Sequence, residues 1–131
     1  MKVKDDEGGG NGGGGGGGSP GGQFTGSAAD IPSEGKALLD AIAGGEGGYN
    51  SVNPKTSVPG LSNMTIAKAR EAAIQKGIYE KGGSGAMGRY QQMPAYILGR
   101  AKSAGLNPDK DLFNPENQDI LAWKLAIANY S

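Results

Sequence analysis

Apolar residues recur at helical spacing in four stretches of this chain, separated by breaks rich in glycine, asparagine or proline. Leu38, Leu39 and Ile42 fall on one face and predict a first helix over roughly residues 34–44, with Ser33 as N-cap and Gly44-Gly45 as its stop. Residues 47–63 mix glycine, asparagine and serine with Pro54 and Pro59, which suits an irregular loop or a short β-excursion. Thr65 caps a second helix, in which Ile66, Ala69, Ala73 and Ile74 recur and Gly77 stands near the end. A glycine-rich turn from Lys81 to Gly88 leads into Arg89-Tyr90-Gln91-Gln92-Met93. Pro94 then opens a third helix that ends at about Ala104, with Gly105 as its stop. Asn114-Pro115 forms an N-cap and N1 pair for a fourth helix. Its apolar residues Ile120, Leu121, Trp123, Leu125 and Ile127 cover more than one face, so this is the expected central buried helix, with Trp123 in the core. Lys68, Arg70 and Lys76, interleaved with acids, read as a solvated helix face. The pattern predicts an α+β fold that is mainly α.

Composition changes the picture at the amino terminus. Residues 8–22 are glycine except for Asn11, Ser19 and Pro20. Such a segment has almost no side chain to bury and a high backbone entropy cost, so residues 1–30 are expected to form a disordered Gly-rich arm or linker. The folded domain is expected over residues 31–131, about 100 residues, which suffices for one small core. Thirteen basic and thirteen acidic residues balance, so neither nucleic acid nor an anionic membrane is an expected partner. The chain has no cysteine and no histidine, which removes thiolate metal sites and the commonest general base. No spacing suggests a metal site and no cofactor is implied. The glycine run is not a phosphate loop, because no Gly-Lys-Ser/Thr follows and no strand precedes it. Met1 to Glu7 lacks the apolar core of a secretory signal, and no apolar stretch approaches membrane-spanning length, so no membrane insertion is expected.

Among the polar residues, Glu46 carries the most chemical information. It leaves the first apolar helix within Gly44-Gly45-Glu46-Gly47-Gly48-Tyr49-Asn50. A carboxylate at such a bend can line a cleft with apolar packing behind it, a setting that raises its pKa toward that of a general acid at neutral pH. A solvated helix-end glutamate would give the same local pattern. After Glu46, no Asp or Glu occurs until Glu71.

Three segments together carry a family likeness. Leu38 to Asn53, with its helix-terminal Glu46, resembles the catalytic glutamate motif of the lysozyme-like superfamily. Ser84-Gly85-Ala86-Met87-Gly88-Arg89-Tyr90-Gln91-Gln92-Met93-Pro94 is similar to the second motif of bacterial lytic transglycosylases, and its Gly-Arg-Tyr-Gln wording is closest to the lambda-type phage lysozymes. Leu112-Phe113-Asn114-Pro115-Glu116-Asn117 resembles the turn that opens the following helix in these families. The resemblance spans residues 38–127 with the motifs in order.

That likeness implies a lysozyme-like domain that cleaves the β-1,4 bond between N-acetylmuramic acid and N-acetylglucosamine in peptidoglycan. Glu46 would serve as general acid and then as base, leaving a 1,6-anhydromuramoyl end. A hydrolase normally needs a second carboxylate. A phage lysozyme of the T-even kind would be expected to carry an Asp about nine residues after its Glu, where this chain has Lys55. Tyr90 and Gln91 carry over as substrate-binding residues, by ring stacking and amide hydrogen bonding, with Gln92 as the adjacent alternative to Gln91. A core tyrosine and a surface glutamine would leave the same pattern. Tyr49 and Asn50 would form the near rim, although turn chemistry also accounts for Asn50; Met87 and Met93 read as packing residues. Lytic transglycosylases continue beyond the fourth helix into an Ala-Tyr-Asn-Ala-Gly-like segment, whereas this chain stops at Ala128-Asn129-Tyr130-Ser131. The expectation is a missing cleft wall, a wall from another polypeptide, or a C-terminally truncated fragment. The implied partners are peptidoglycan strands and, through the Gly-rich arm, other virion or tail proteins. The implied location is the phage virion or host cell envelope, or the host cytoplasm before release. The rivals are a hydrolytic lysozyme, a non-catalytic glycan-binding module and a structural phage tail component.

Overall fold

The computed structural model describes residues 31–44 and 47–130, apart from the side chains of Asn129 and Tyr130. The Gly-rich arm expected over residues 1–30 lies outside them, as does Glu46. Helix α1 (Ser33–Ala43) is followed by an antiparallel hairpin of β1 (Ser51–Val52) and β2 (Thr56–Ser57). A single 3-10 turn, Leu61–Asn63, leads to α2 (Ile66–Ala73), which runs on as a π-helical segment, Ile74–Glu80. Helices α3 (Pro94–Ser103) and α4 (Pro115–Tyr130) complete a mainly helical arrangement with one small sheet. Among the described residues, no helix is long and apolar enough to cross a membrane.

Local chemistry explains most of the helix ends. Thr65 Oγ1 accepts from the Lys68 amide at 3.3 Å, and Asn114 Oδ1 accepts from the Asn117 amide at 2.9 Å. Pro94 takes the first turn of α3, and Gly44 closes α1 in the left-handed region with its amide bonded to the Asp40 carbonyl. Helix α1 starts one residue early, so Pro32 rather than Ser33 holds the cap position, with no side-chain capping bond. Its buried face is also rotated from the expected one: Gly35, Leu39 and Ala43 are buried, while Leu38 is half-buried and Ile42 faces solvent. The cause is the seat of Trp123, whose ring packs so closely over Gly35 that a Cβ there would lie 2.8 Å from Cζ3. Trp123 itself is half-buried rather than fully in the core.

The second helix does not stop at Gly77. The π-helical segment carries through it, and its bare Cα presses on the hairpin: a Cβ there would lie 2.6 Å from both the Asn53 carbonyl and Gly85 Cα. Glycine is needed for close approach, not for termination. Arg70, expected in solvent, is half-buried and donates from Nε to the Pro94 carbonyl at 2.9 Å.

Two apolar clusters result. The larger joins Leu61, Ile66, Ile97, Phe113 and Leu121 with Val52 and Met87 from the hairpin side. The smaller holds α1 on α4 through Ile31, Leu39 and Ala122, with Tyr90 and Trp123 packed against it. Met87 is fully buried, as a packing residue would be, whereas Met93 is exposed.

Candidate active site

A tight turn brings the central motif to the head of α4. Met87 and Gln92 exchange backbone hydrogen bonds at 2.9 Å in both directions, so residues 88–91 project as a loop. Gly88 sits at φ +81°, and a Cβ there would collide with Gln118 Oε1 and approach Phe113 Cζ to 2.8 Å. Gln118 is 1% exposed and fully employed. Its Nε2 donates to the carbonyls of Tyr49 at 2.9 Å and Phe113 at 2.8 Å, while its Oε1 accepts from the Arg89 amide at 2.9 Å. One buried amide therefore ties together the loop after α1, the 88–91 turn and the entrance of α4.

A charged network lies beside it. Asp119 Oδ1 accepts the hydroxyls of Tyr90 at 2.6 Å and Tyr49 at 3.0 Å. Arg89 donates from Nη1 to the Tyr90 hydroxyl at 2.8 Å and from Nη2 to Asp40 Oδ1 at 2.7 Å, which links the turn to α1. Its guanidinium carbon stands 5.7 Å from the Tyr49 ring centroid and 5.3 Å from that of Tyr90. Burial, and then the hydrogen bond to and charge of Asp119, push the Tyr90 hydroxyl well above its usual range. Tyr49 is raised by burial and by Asp119. Arg89 is held in its charged form chiefly by its hydrogen bond to Asp40. Both tyrosines thus remain neutral donors, and Asp119 is their shared acceptor.

In front of this network opens a cleft of about 870 Å³. Among the described residues, its walls are Gly47 to Asn53, Lys55 in the hairpin turn, Thr56 and Ser57 of β2, and Gln91. Hydrogen-bonding groups line most of it. Gln91 Nε2 donates to the Gly88 carbonyl at 2.9 Å and reaches Ser51 Oγ at 3.3 Å; Ser51 Oγ lies 2.9 Å from the Gly88 carbonyl. Asn50 Oδ1 accepts from the Ser62 amide at 2.7 Å, tying the rim to the 3-10 turn. Among the described residues, the non-glycine residues with positive φ are Lys55 (+43°) and Gln91 (+53°), and both line this cleft. Side chains held in the left-handed region cost free energy and gather at functional sites.

The residues singled out from sequence separate on this geometry. Tyr49, Asn50 and Gln91 line the cleft. Tyr90 is not among its lining residues, and its hydroxyl is committed to Asp119. Gln92 is 4% exposed and accepts from Arg100 Nη1 at 2.9 Å, so its amide serves the interior. Glu46 lies outside the described residues; the nearest described residues on either side in sequence are Gly44, which closes α1, and Gly47, which lines the cleft. Gln118, Asp119 and the Asp40–Arg89 pair were missed by sequence reasoning. Gln118 and Asp119 follow Glu116 and Asn117 in one polar run at the head of α4, so the sequence did not set them apart from an ordinary solvated first turn. Among the described residues, no three acidic side chains gather where a metal ion could be held. No protein-family model matches the chain, and no curated protein or solved structure shows significant similarity to it.

Proposed function

We propose that this chain is a peptidoglycan lytic transglycosylase of lysozyme-like fold, acting on the bond between N-acetylmuramic acid and N-acetylglucosamine, with Glu46 as its single acid/base. The observation that carries this reading is the convergence at Gln118. Three segments that resemble lytic transglycosylase motifs, far apart in sequence, meet around one amide beside a polar cleft. Glu46 belongs to the first of them and adjoins Gly47 of the cleft wall.

In the proposed reaction the Glu46 carboxyl gives its proton to the glycosidic oxygen as the bond from that oxygen to C1 of the muramoyl ring breaks. The resulting carboxylate then removes the proton of the muramoyl 6-hydroxyl while that oxygen bonds to C1. The products are a 1,6-anhydromuramoyl end and a free 4-hydroxyl, and Glu46 finishes protonated. No carboxylate among the described cleft-lining residues offers to activate water, which favours this internal attack over hydrolysis. The site of action on this reading is the bacterial cell envelope, reached from a phage virion.

Mass spectrometry of fragments released from purified sacculi by the chain and by Glu46→Gln tests the proposal. Anhydro-muropeptides are expected from the unaltered chain, with release reduced about 10²–10⁴-fold in the variant, the usual contribution of a positioned acid/base. Reducing ends would mean a hydrolase. Binding to sacculi without release by either protein would mean a glycan-binding module.

A further inference from the structure

We infer that Lys55 is an anion-reading position of the cleft, whose ammonium pairs with a carboxylate carried on the muramoyl 3-substituent of the glycan. The inference rests on the glycan reading above and extends it to substrate choice.

Backbone geometry supplies the first argument. Lys55 is the last residue of the three-residue turn that joins β1 to β2, and it stands at φ +43°. Hairpin turns of this length favour glycine at the left-handed position, because any Cβ there crowds the backbone. Lysine accepts that cost without a compensating contact: among the described residues its side chain makes no hydrogen bond or ion pair, and it is exposed. Charge supplies the second argument. Among the described residues, every other lining residue of the cleft is uncharged, and most present hydroxyl or amide groups. A neutral hydrogen-bonding wall with one cation at its edge matches a ligand that is mostly neutral and carries an anionic branch.

Peptidoglycan has that composition. Its N-acetylglucosamine units are neutral, and each muramoyl unit bears a lactyl ether whose carboxyl is either free or extended by a peptide with carboxylates of its own. Because Lys55 lies in the hairpin turn and is exposed, it is placed to meet a projecting substituent rather than a ring seated in the cleft.

The test measures binding of three soluble ligands of matched length: neutral chitooligosaccharide, glycan stripped of peptide so that the lactyl carboxylate is free, and peptide-bearing glycan. The chain is compared with Lys55→Met, Lys55→Arg and Lys55→Gly. One or both anionic ligands should bind about five-fold more tightly than the neutral one, the upper range for an exposed ion pair, and added salt should erode the difference. Which anionic ligand gains identifies the carboxylate. Lys55→Arg should keep the preference, while Lys55→Met and Lys55→Gly should lose it. Lys55→Gly should melt no lower than the unaltered chain, which separates lost recognition from lost folding. Equal binding of all three ligands, or equal weakening of all three in Lys55→Met, overturns this inference and leaves the glycan reading standing. No binding of any ligand overturns both.

Discussion

The head of α4 and the residues that directly follow it are held by different forces. Along its length, Ile120 and Leu121 join Ile66, Ile97 and Phe113 in an aliphatic and aromatic cluster that excludes water. At its head, Gln118 and Asp119 make directed polar contacts with residues from two other segments, the loop after α1 and the 88–91 turn. The hydrophobic effect is non-directional, whereas a hydrogen bond fixes direction and length. Stability therefore resides in the first region and positioning in the second. Helix α1 depends on both, since its apolar seat is the smaller cluster and its polar anchor is the Asp40–Arg89 ion pair.

Removing a buried aromatic should break the first region and the molecule with it. Phe113→Ala deletes a fully buried ring and should cost about 3–5 kcal/mol, measured as a lower urea midpoint. A much smaller loss would mean that the larger cluster is not the main source of stability. A milder and more local effect is expected at the polar end. Asp119→Ala leaves two tyrosine hydroxyls without their acceptor and should cost about 1–3 kcal/mol. Hydrogen exchange should then rise first in α1 and in residues 47–52 and 88–91, while α2 and α3 keep their protection. Uniform loss of protection would erase the distinction between the two regions.

The smallest effect should come from alkali. Tyr49 and Tyr90 are raised above the ordinary value of 10.0 by burial and Asp119, so above that pH the unfolded chain gives up protons that the folded chain keeps. The folded state then binds more protons, and stability falls as pH rises. Melting temperature should drop above about pH 10, and it should drop less steeply in Tyr90→Phe, which has one fewer raised group. A steeper fall in the variant would contradict the proton balance.

Much of the helical frame was legible because it is written locally. Thr65, Pro94, Asn114 and Gly44 act on the few residues next to them, so each helix boundary they signal lies within a residue or so of its expected place. After α1 the sequence left an irregular loop and a short β-excursion both open, and the structure has a hairpin of two-residue strands. What periodicity could not reveal depends on contacts across the chain. Ile42 has the spacing of a core residue, but Trp123 settling on Gly35 turns α1 so that Ile42 faces out. Gly77 has the look of a helix stop, yet its lack of a side chain admits the hairpin. Within the candidate site, Tyr49 and Gln91 were legible as cleft residues through a resemblance. Gln92 has the same side chain as its neighbour, but the backbone pairing of Met87 with Gln92 turns it inward to Arg100. Lys55 was noticed only as the place where an acid was lacking, since a left-handed φ leaves little mark on a Pro-Lys-Thr sequence.

The Gln118 amide restricts which sequences can build this cleft. Its position requires two donors pointing at carbonyl oxygens and one acceptor facing an amide, at the end of a side chain two methylenes long. Glutamate would set an anionic oxygen against two carbonyls, asparagine is a methylene short, and no apolar residue supplies either half. The genetic alphabet therefore offers a single word for this position. Among the described residues, the side chains of Thr56 and Ser57 on the cleft wall carry no such set of hydrogen bonds, so variation that tunes the ligand has more room there than at this joint.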